Sequence, residues 1–233
     1  MIKYKNIIFT RDGGEHLFPP MPANKSVPNW YKQTPEYRGE NGKAYSVDGA
    51  TPHTIKKCIP VFDAMTAGYI LYTEVDLQVS YNEKTTTFYF AGTDKAIDYH
   101  KVDQTPLYPL KHDFGYPKWI NKYKIKTPPG YSTLFLSPMH NPNNFFTIFP
   151  GIVDTDKYSV EVNFPFFMND NKWEGVIPAG TPMVQVIPFK RDSWKHTFGS
   201  HKEIKEGEII HQKLRTFLYN SYKKNFWSKK DFK

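Results

Sequence analysis

Val75-Asp76-Leu77-Gln78-Val79-Ser80, followed after Tyr81-Asn82-Glu83-Lys84 by Thr85-Thr86-Thr87-Phe88-Tyr89-Phe90-Ala91, decides the fold class. Val75, Leu77 and Val79 alternate with Asp76, Gln78 and Ser80, the period of a strand with one face buried and one wet. The second run is rich in β-branched and aromatic residues, which suit a pleated surface. Asn82-Glu83-Lys84 between them reads as a hairpin turn.

Downstream of this hairpin, short apolar or alternating runs recur at 133–136, 145–149, 159–164 and 183–189, with glycines and prolines between them. Many short strands punctuated in this way indicate a mainly β chain of barrel or sandwich type. Residues 92–130 read as loop, with Gly92, Asp94, Pro106, Pro109, Gly115, Pro117, Pro128 and Pro129 as breakers. Upstream, Ile55, Cys58, Ile59, Phe62, Met65 and Thr66 recur at helical spacing across 54–67, and Pro60 predicts that the helix starts there, leaving Lys56 and Lys57 outside.

Residues 1–53 carry six prolines and read as an irregular arm packed on the domain, anchored by the aromatics of Val27-Pro28-Asn29-Trp30-Tyr31. At the other end, Ile210, Leu214, Phe217, Leu218, Tyr222 and Phe226 form a helical stripe over 209–227. The expected organisation is an arm over 1–53, a β core over 54–190 and a C-terminal segment with a basic amphipathic helix over 191–233.

Aromatics make up 17% of the 233 residues, so a sizeable core forms despite a hydrophobic share of 39%. Cys58 is the single cysteine, which excludes an internal disulfide and a cysteine-based zinc site and fits a reducing compartment. No apolar run approaches the length of a signal-peptide core or a membrane span, so a cytoplasmic protein with no membrane partner is expected. The net charge of +8 is concentrated: residues 213–233 hold seven basic residues against Asp231 alone. The eight histidines are scattered without metal-ligand spacing, and no metal or other cofactor is expected.

Four segments in order carry a resemblance. They are Ala67-Gly68-Tyr69-Ile70-Leu71, Pro129-Gly130-Tyr131, Pro150-Gly151-Ile152-Val153-Asp154-Thr155-Asp156-Lys157-Tyr158 and Gly180-Thr181-Pro182-Met183-Val184-Gln185-Val186-Ile187. Together they resemble the dUTPase and dCTP deaminase superfamily, of β-clip fold, across roughly residues 67–189. The later half is also similar to uncharacterised proteins of tailed phages. The resemblance implies a β-clip domain, a homotrimer with sites between subunits, Asp154 as the base that activates water, and Tyr158 and Gln185 as ligand-binding residues. Mg²⁺ would enter only with a nucleotide.

The chain also departs from the family. Ile70 replaces the first-motif aspartate, and Ser137-Pro138-Met139-His140 stands where an Arg-Ser pair would hold phosphates. Met139 cannot neutralise a triphosphate. One extra residue separates Asp154 from Tyr158, which on a strand would turn the tyrosine to the opposite face. These departures favour a non-catalytic protein, such as a phage accessory or structural component with a virion or host partner. A nucleotide-binding or nucleotide-hydrolysing enzyme is the alternative. A third reading takes Lys223, Lys224, Trp227, Lys229 and Lys230 as a nucleic-acid or partner site, because lysines contact phosphates and aromatics stack on bases.

Overall fold

A computed structural model describes residues 5–13, 17–38, 53–83, 85–91, 95–104, 115–216 and 221–233. Lys84 of the expected turn, loop positions 92–94 and 105–114, and Phe217 and Leu218 of the expected helical stripe lie outside them.

The hairpin forms as its alternation requires. β4 (Leu77–Tyr81) and β5 (Thr86–Phe90) pair antiparallel from Leu77 opposite Phe90 to Tyr81 opposite Thr86. Leu77, Val79 and Phe88 turn inward, while Gln78 and Tyr89 face out. The turn closes through the Asn82 N–H donating to the Thr85 carbonyl and the Thr85 N–H donating to Asn82 Oδ1. β13 (Gly175–Ile177) joins the free side of β4 and completes a three-stranded sheet.

The longest strand, β14 (Pro182–Lys190), is the spine of a five-stranded antiparallel sheet. It pairs with β3 (Tyr69–Tyr72) on one side and β9 (Tyr131–Leu136) on the other. β11 (Gly151–Val153) lies beyond β9, and β2 (Met21–Pro22) beyond β3. Val184 and Val186 are wholly buried, as expected for a strand with neighbours on both sides.

A four-stranded sheet runs in the order β10 (Phe146–Ile148), β12 (Phe164–Met168), β7 (Tyr116–Trp119), β6 (Ile97–His100). Its inner face supplies the aromatic centre of the core. Trp119 stacks on Phe166 with ring centres 5.3 Å apart, and Phe146 sits tilted against both. These rings, with Phe135, Phe164 and the aliphatic residues of β4 and β14, make one continuous cluster. The chain is thus mainly β, with its long helix towards the C-terminus.

Several expectations are corrected. The segment 92–130 is not simply loop: it contains β6, β7 and β8 (Tyr123–Lys126), and β8 pairs with β1 (Ile8–Arg11) from the supposed irregular arm. Tyr123 and Ile125 point in while Lys124 and Lys126 are less buried, an alternation masked by the surrounding prolines. Pro117 lies inside β7 opposite Tyr99 of β6, while the pairing to β12 covers only Lys118 and Trp119. The run 159–164 forms a single bridge, Lys124 with Glu161, and the strand begins at Phe164. Val160 and Val162 alternate correctly but face no continuous partner strand.

In the arm, α1 (Asn29–Gln33) places Tyr31, not Trp30, as the anchor. Tyr31 is buried and stacks on Phe62, while Trp30 is 43% exposed and donates its indole N–H to the His140 carbonyl. α2 (Ile59–Thr66) has Pro60 in its first turn, and Ile55–Lys57 forms a separate 3₁₀ turn.

α3 (His201–Thr216) starts eight residues before the expected 209, at a capping box. The Glu203 carboxylate accepts from the Ser200 N–H, and Ser200 Oγ accepts from the Lys202 N–H. α4 (Ser221–Asn225) follows. Contacts divide the chain into a unit of Met1–Arg191 with Phe232, and a unit of Asp192–Asp231 with Lys233.

Candidate functional site

Asp154, the base that the resemblance implies, sits just past the end of β11. The strand stops at Val153, and the Lys157 and Tyr158 N–H groups both donate to the Asp154 carbonyl, at 2.9 and 2.8 Å. Residues 154–157 therefore form a turn. Tyr158 is not on a strand, so the face-parity expectation does not apply; its side chain is 54% exposed.

Thr155, between the two aspartates, is fully buried. Its Oγ1 lies 2.8 Å from both Thr127 Oγ1 and Thr133 Oγ1, a closed set of hydroxyls beneath the turn. With Thr155 sunk beneath the turn, Asp154 and Asp156 both face Arg191, the residue just after β14.

Arg191 is the organising cation. Its backbone N–H donates to the Gly130 carbonyl at 2.9 Å, which fixes where its side chain starts. Its guanidinium grips Asp156 two-pronged, with Nη1 to Oδ1 at 2.8 Å and Nη2 to Oδ2 at 2.5 Å. Nη1 also donates to the Tyr131 carbonyl and to Ser132 Oγ, and lies 3.2 Å from Asp154 Oδ1. Ser132 Oγ in turn donates to Asp154 Oδ1 at 2.6 Å. The Gly130 N–H completes Asp156, donating to Oδ2 at 2.8 Å.

The electrostatic outcome follows from these contacts. The Ser132 hydroxyl, and then the Arg191 charge, hold the Asp154 carboxyl below the usual carboxylate range. The Arg191 guanidinium and the Gly130 N–H hold Asp156 well below it, and the two carboxylates raise Arg191. A lowered pKa means a reduced appetite for a proton, the opposite of what a general base at neutral pH needs. Asp154 is nevertheless half-exposed, whereas the Asp156 side chain is 6% exposed.

Gln185 lies elsewhere on β14 and is wholly buried. Its amide donates to the Ala64 and Ala67 carbonyls at 2.9 and 2.7 Å, and its oxygen accepts from the Met139 N–H at 2.8 Å. The side chain thereby ties the end of α2 and the Ser137-Pro138-Met139-His140 loop to the central strand. The nearby carboxylates are committed separately: Asp156 pairs with Arg191, while Glu161 lies 3.7 Å from Lys124. Among the described residues, no group of three His, Cys, Asp or Glu side chains could hold a metal ion.

Sequence reasoning missed Arg191 and Ser132. One signal was available. Arg191 is one of four arginines in a chain that otherwise uses lysine, and it follows a strand directly. A planar, two-pronged donor is not replaceable by lysine where a carboxylate must be held in a fixed orientation.

In the C-terminal unit, Lys223 and Lys230 place their ammonium groups 5.8 and 5.9 Å from the Trp227 ring centre. Lys224 and Lys229 are exposed. Among the described residues, no helix is long and apolar enough to cross a membrane.

No protein-family profile and no curated protein matches the chain. Among solved structures, native EIAV dUTPase matches with a TM-score of 0.34 at 14% identity, covering 58% of this chain and 84% of that one.

Proposed function

We propose that the chain is a non-catalytic β-clip-type protein that works by assembly, as an accessory or structural component of the kind tailed phages encode. The observation that carries this reading is the state of Asp154. The carboxylate that the resemblance assigns to water activation is spent on Ser132 and Arg191, and both contacts weaken it as a base. Arg191, the cation nearest to it, is committed to Asp156 and is not a spare phosphate clamp.

Assembly has a surface to use. Among the described residues, β11 is the outer strand of its sheet, pairing only with β9, and Ile152 at its centre is 65% exposed. An exposed apolar edge is a template for pairing with a second chain. A trimer is the state the family resemblance implies.

The test is thermal unfolding of the full chain with each deoxynucleoside triphosphate and Mg²⁺, alongside a turnover assay. The expected result is no stabilisation and no hydrolysis or deamination. A ligand at one hundred times its dissociation constant would add roughly 2.7 kcal/mol, or about 5–10 °C for a chain of this size. A selective rise of that order with dUTP or dCTP, with turnover lost in Asp154→Asn, would overturn the reading in favour of a nucleotide enzyme.

A second reading, single-stranded nucleic-acid binding, is favoured by Trp227 set between Lys223 and Lys230. It requires salt-dependent binding of a labelled oligothymidylate that disappears when residues 213–233 are deleted. Equal binding by the truncated chain would rule that segment out.

A further inference from the structure

Ser193-Trp194-Lys195-His196-Thr197-Phe198-Gly199 follows shortly after β14 and belongs to no helix or strand. Trp194 is 90% exposed and Phe198 95%, whereas the next large hydrophobic of the described residues, Leu17, stands at 66%. Among the described residues, no hydrogen bond reaches this segment. The His196 and Phe198 rings stand edge to face with centres 6.2 Å apart, so both lie on one side of it. Single exposed apolar residues are ordinary, but two rings this bare within five positions mark a surface that meets a partner.

The same sequence holds a hollow of matching size. Leu17, Leu71, Val75, Ile120 and Met183 wall a cavity of about 150 Å³ in the larger unit. An apolar space of that order holds a single six-membered aromatic ring. The exposure of Leu17 puts this wall at the surface, where a ring can enter.

The charged groups of the wall are already engaged. Arg11 pairs with Glu74, Lys95 lies 2.5 Å from Asp98, and Lys122 is engaged within the chain. An ion entering the hollow would lose its hydration without meeting a free counter-charge. A neutral ring is therefore the better occupant.

Because ring and hollow belong to one sequence, a second copy supplies what each of them lacks. Identical chains joined ring to hollow meet head to tail through two different surfaces, and such contacts close into rotational rings. We propose that the Phe198 ring of one copy fills the hollow beside Leu71 and Met183 of a second copy. Trp194, four residues away, covers surface within about 13 Å of it. The proposal rests on the assembly reading and names a contact for it separate from the β11 edge.

The experiment is light scattering of the full chain across a dilution series, with far-ultraviolet circular dichroism as the control for folding. The parent should be an oligomer of the 27.2 kDa chain. Phe198→Ala should weaken association at least tenfold with the fold intact, and Trp194→Ala should weaken it less. Met183→Phe, which fills the hollow from within, should match Phe198→Ala. A synthetic peptide of residues 192–200 in large excess should dissociate the parent, and its Phe198→Ala form should not.

A folded Phe198→Ala chain that assembles as tightly as the parent would overturn the proposal and leave the assembly reading to another contact. Undiminished assembly of folded Met183→Phe, or a parent oligomer left intact by millimolar peptide, would overturn the hollow as the acceptor. A parent that stays monomeric at tens of micromolar would overturn both the proposal and the assembly reading. If that monomer bound labelled oligothymidylate and lost it in Trp194→Ala, the bare rings would serve nucleic acid instead.

Discussion

Gly68 is a single residue on which the central sheet depends. Its φ of +70° is a left-handed conformation that other residues adopt only with strain, and a Cβ there would lie 2.0 Å from the Val186 carbonyl oxygen. That carbonyl belongs to β14, so no side chain can swing away to make room. Gly68→Ala should lower stability by about 2 kcal/mol or more, measured by urea unfolding. An unchanged midpoint would mean that β3 can move off β14 without loss.

The carboxylates of Asp98, Asp154 and Asp156 set a second residue-scale expectation. All three are lowered in the folded state: Asp98 by Lys95 and Lys118, Asp154 by Ser132 and Arg191, Asp156 by Arg191. Each therefore contributes stability that is fully present above the unfolded carboxylate pKa of about 3.9 and is lost as pH falls toward the folded value. Tm should drop steeply below about pH 4. Asp156→Asn should show a lower Tm at pH 7 and a shallower acid limb, because it no longer titrates and holds Arg191 less tightly. A limb as steep as the parent's would show that Asp156 carries none of the linkage.

Among elements, the junction of α2, β14 and the 137–140 loop rests on Gln185. Two carbonyls at the end of α2 and one loop N–H have this amide as a shared partner. Gln185→Leu fills the space but leaves those groups without it, and should cost about 2–4 kcal/mol in chemical denaturation. A cost under about 0.5 kcal/mol would show that water replaces the amide, as a ligand-binding role with a solvated pocket would also require. The helix elements were only partly legible. Pro60 marked the start of α2 to within one residue. The α3 start was misplaced because the apolar stripe begins at Ile209, while the local cap that nucleates the helix is the polar pair Ser200 and Glu203.

For the whole molecule, the exposed edge at β11 makes the assembly reading concrete. If this strand is the contact, Ile152→Lys should convert an oligomer into a species of the 27.2 kDa chain mass by light scattering, with its far-ultraviolet circular dichroism unchanged. A parent chain that is already monomeric at tens of micromolar would sink that reading outright. An oligomer that survives the substitution would move the contact to another face.

Alternation and turn chemistry determined, from sequence alone, that this is a mainly β chain, that β4 and β5 form a hairpin, and that a strand runs through Val184 and Val186. Those are properties of short segments, where a side-chain period of two and an Asn-bearing turn act locally. Local pattern could not show that Ile8–Arg11 would supply the partner for Tyr123–Lys126, or that the Val160 and Val162 alternation would find none. Pairing is decided by which strands arrive side by side. The same holds for the candidate site. Asp154 was visible in its motif, but Arg191, 37 positions later, reaches it only because β9, β11 and β14 are neighbours in one sheet. Burial and pairing depend on the whole chain's packing, and that is why the tertiary structure alone decided them.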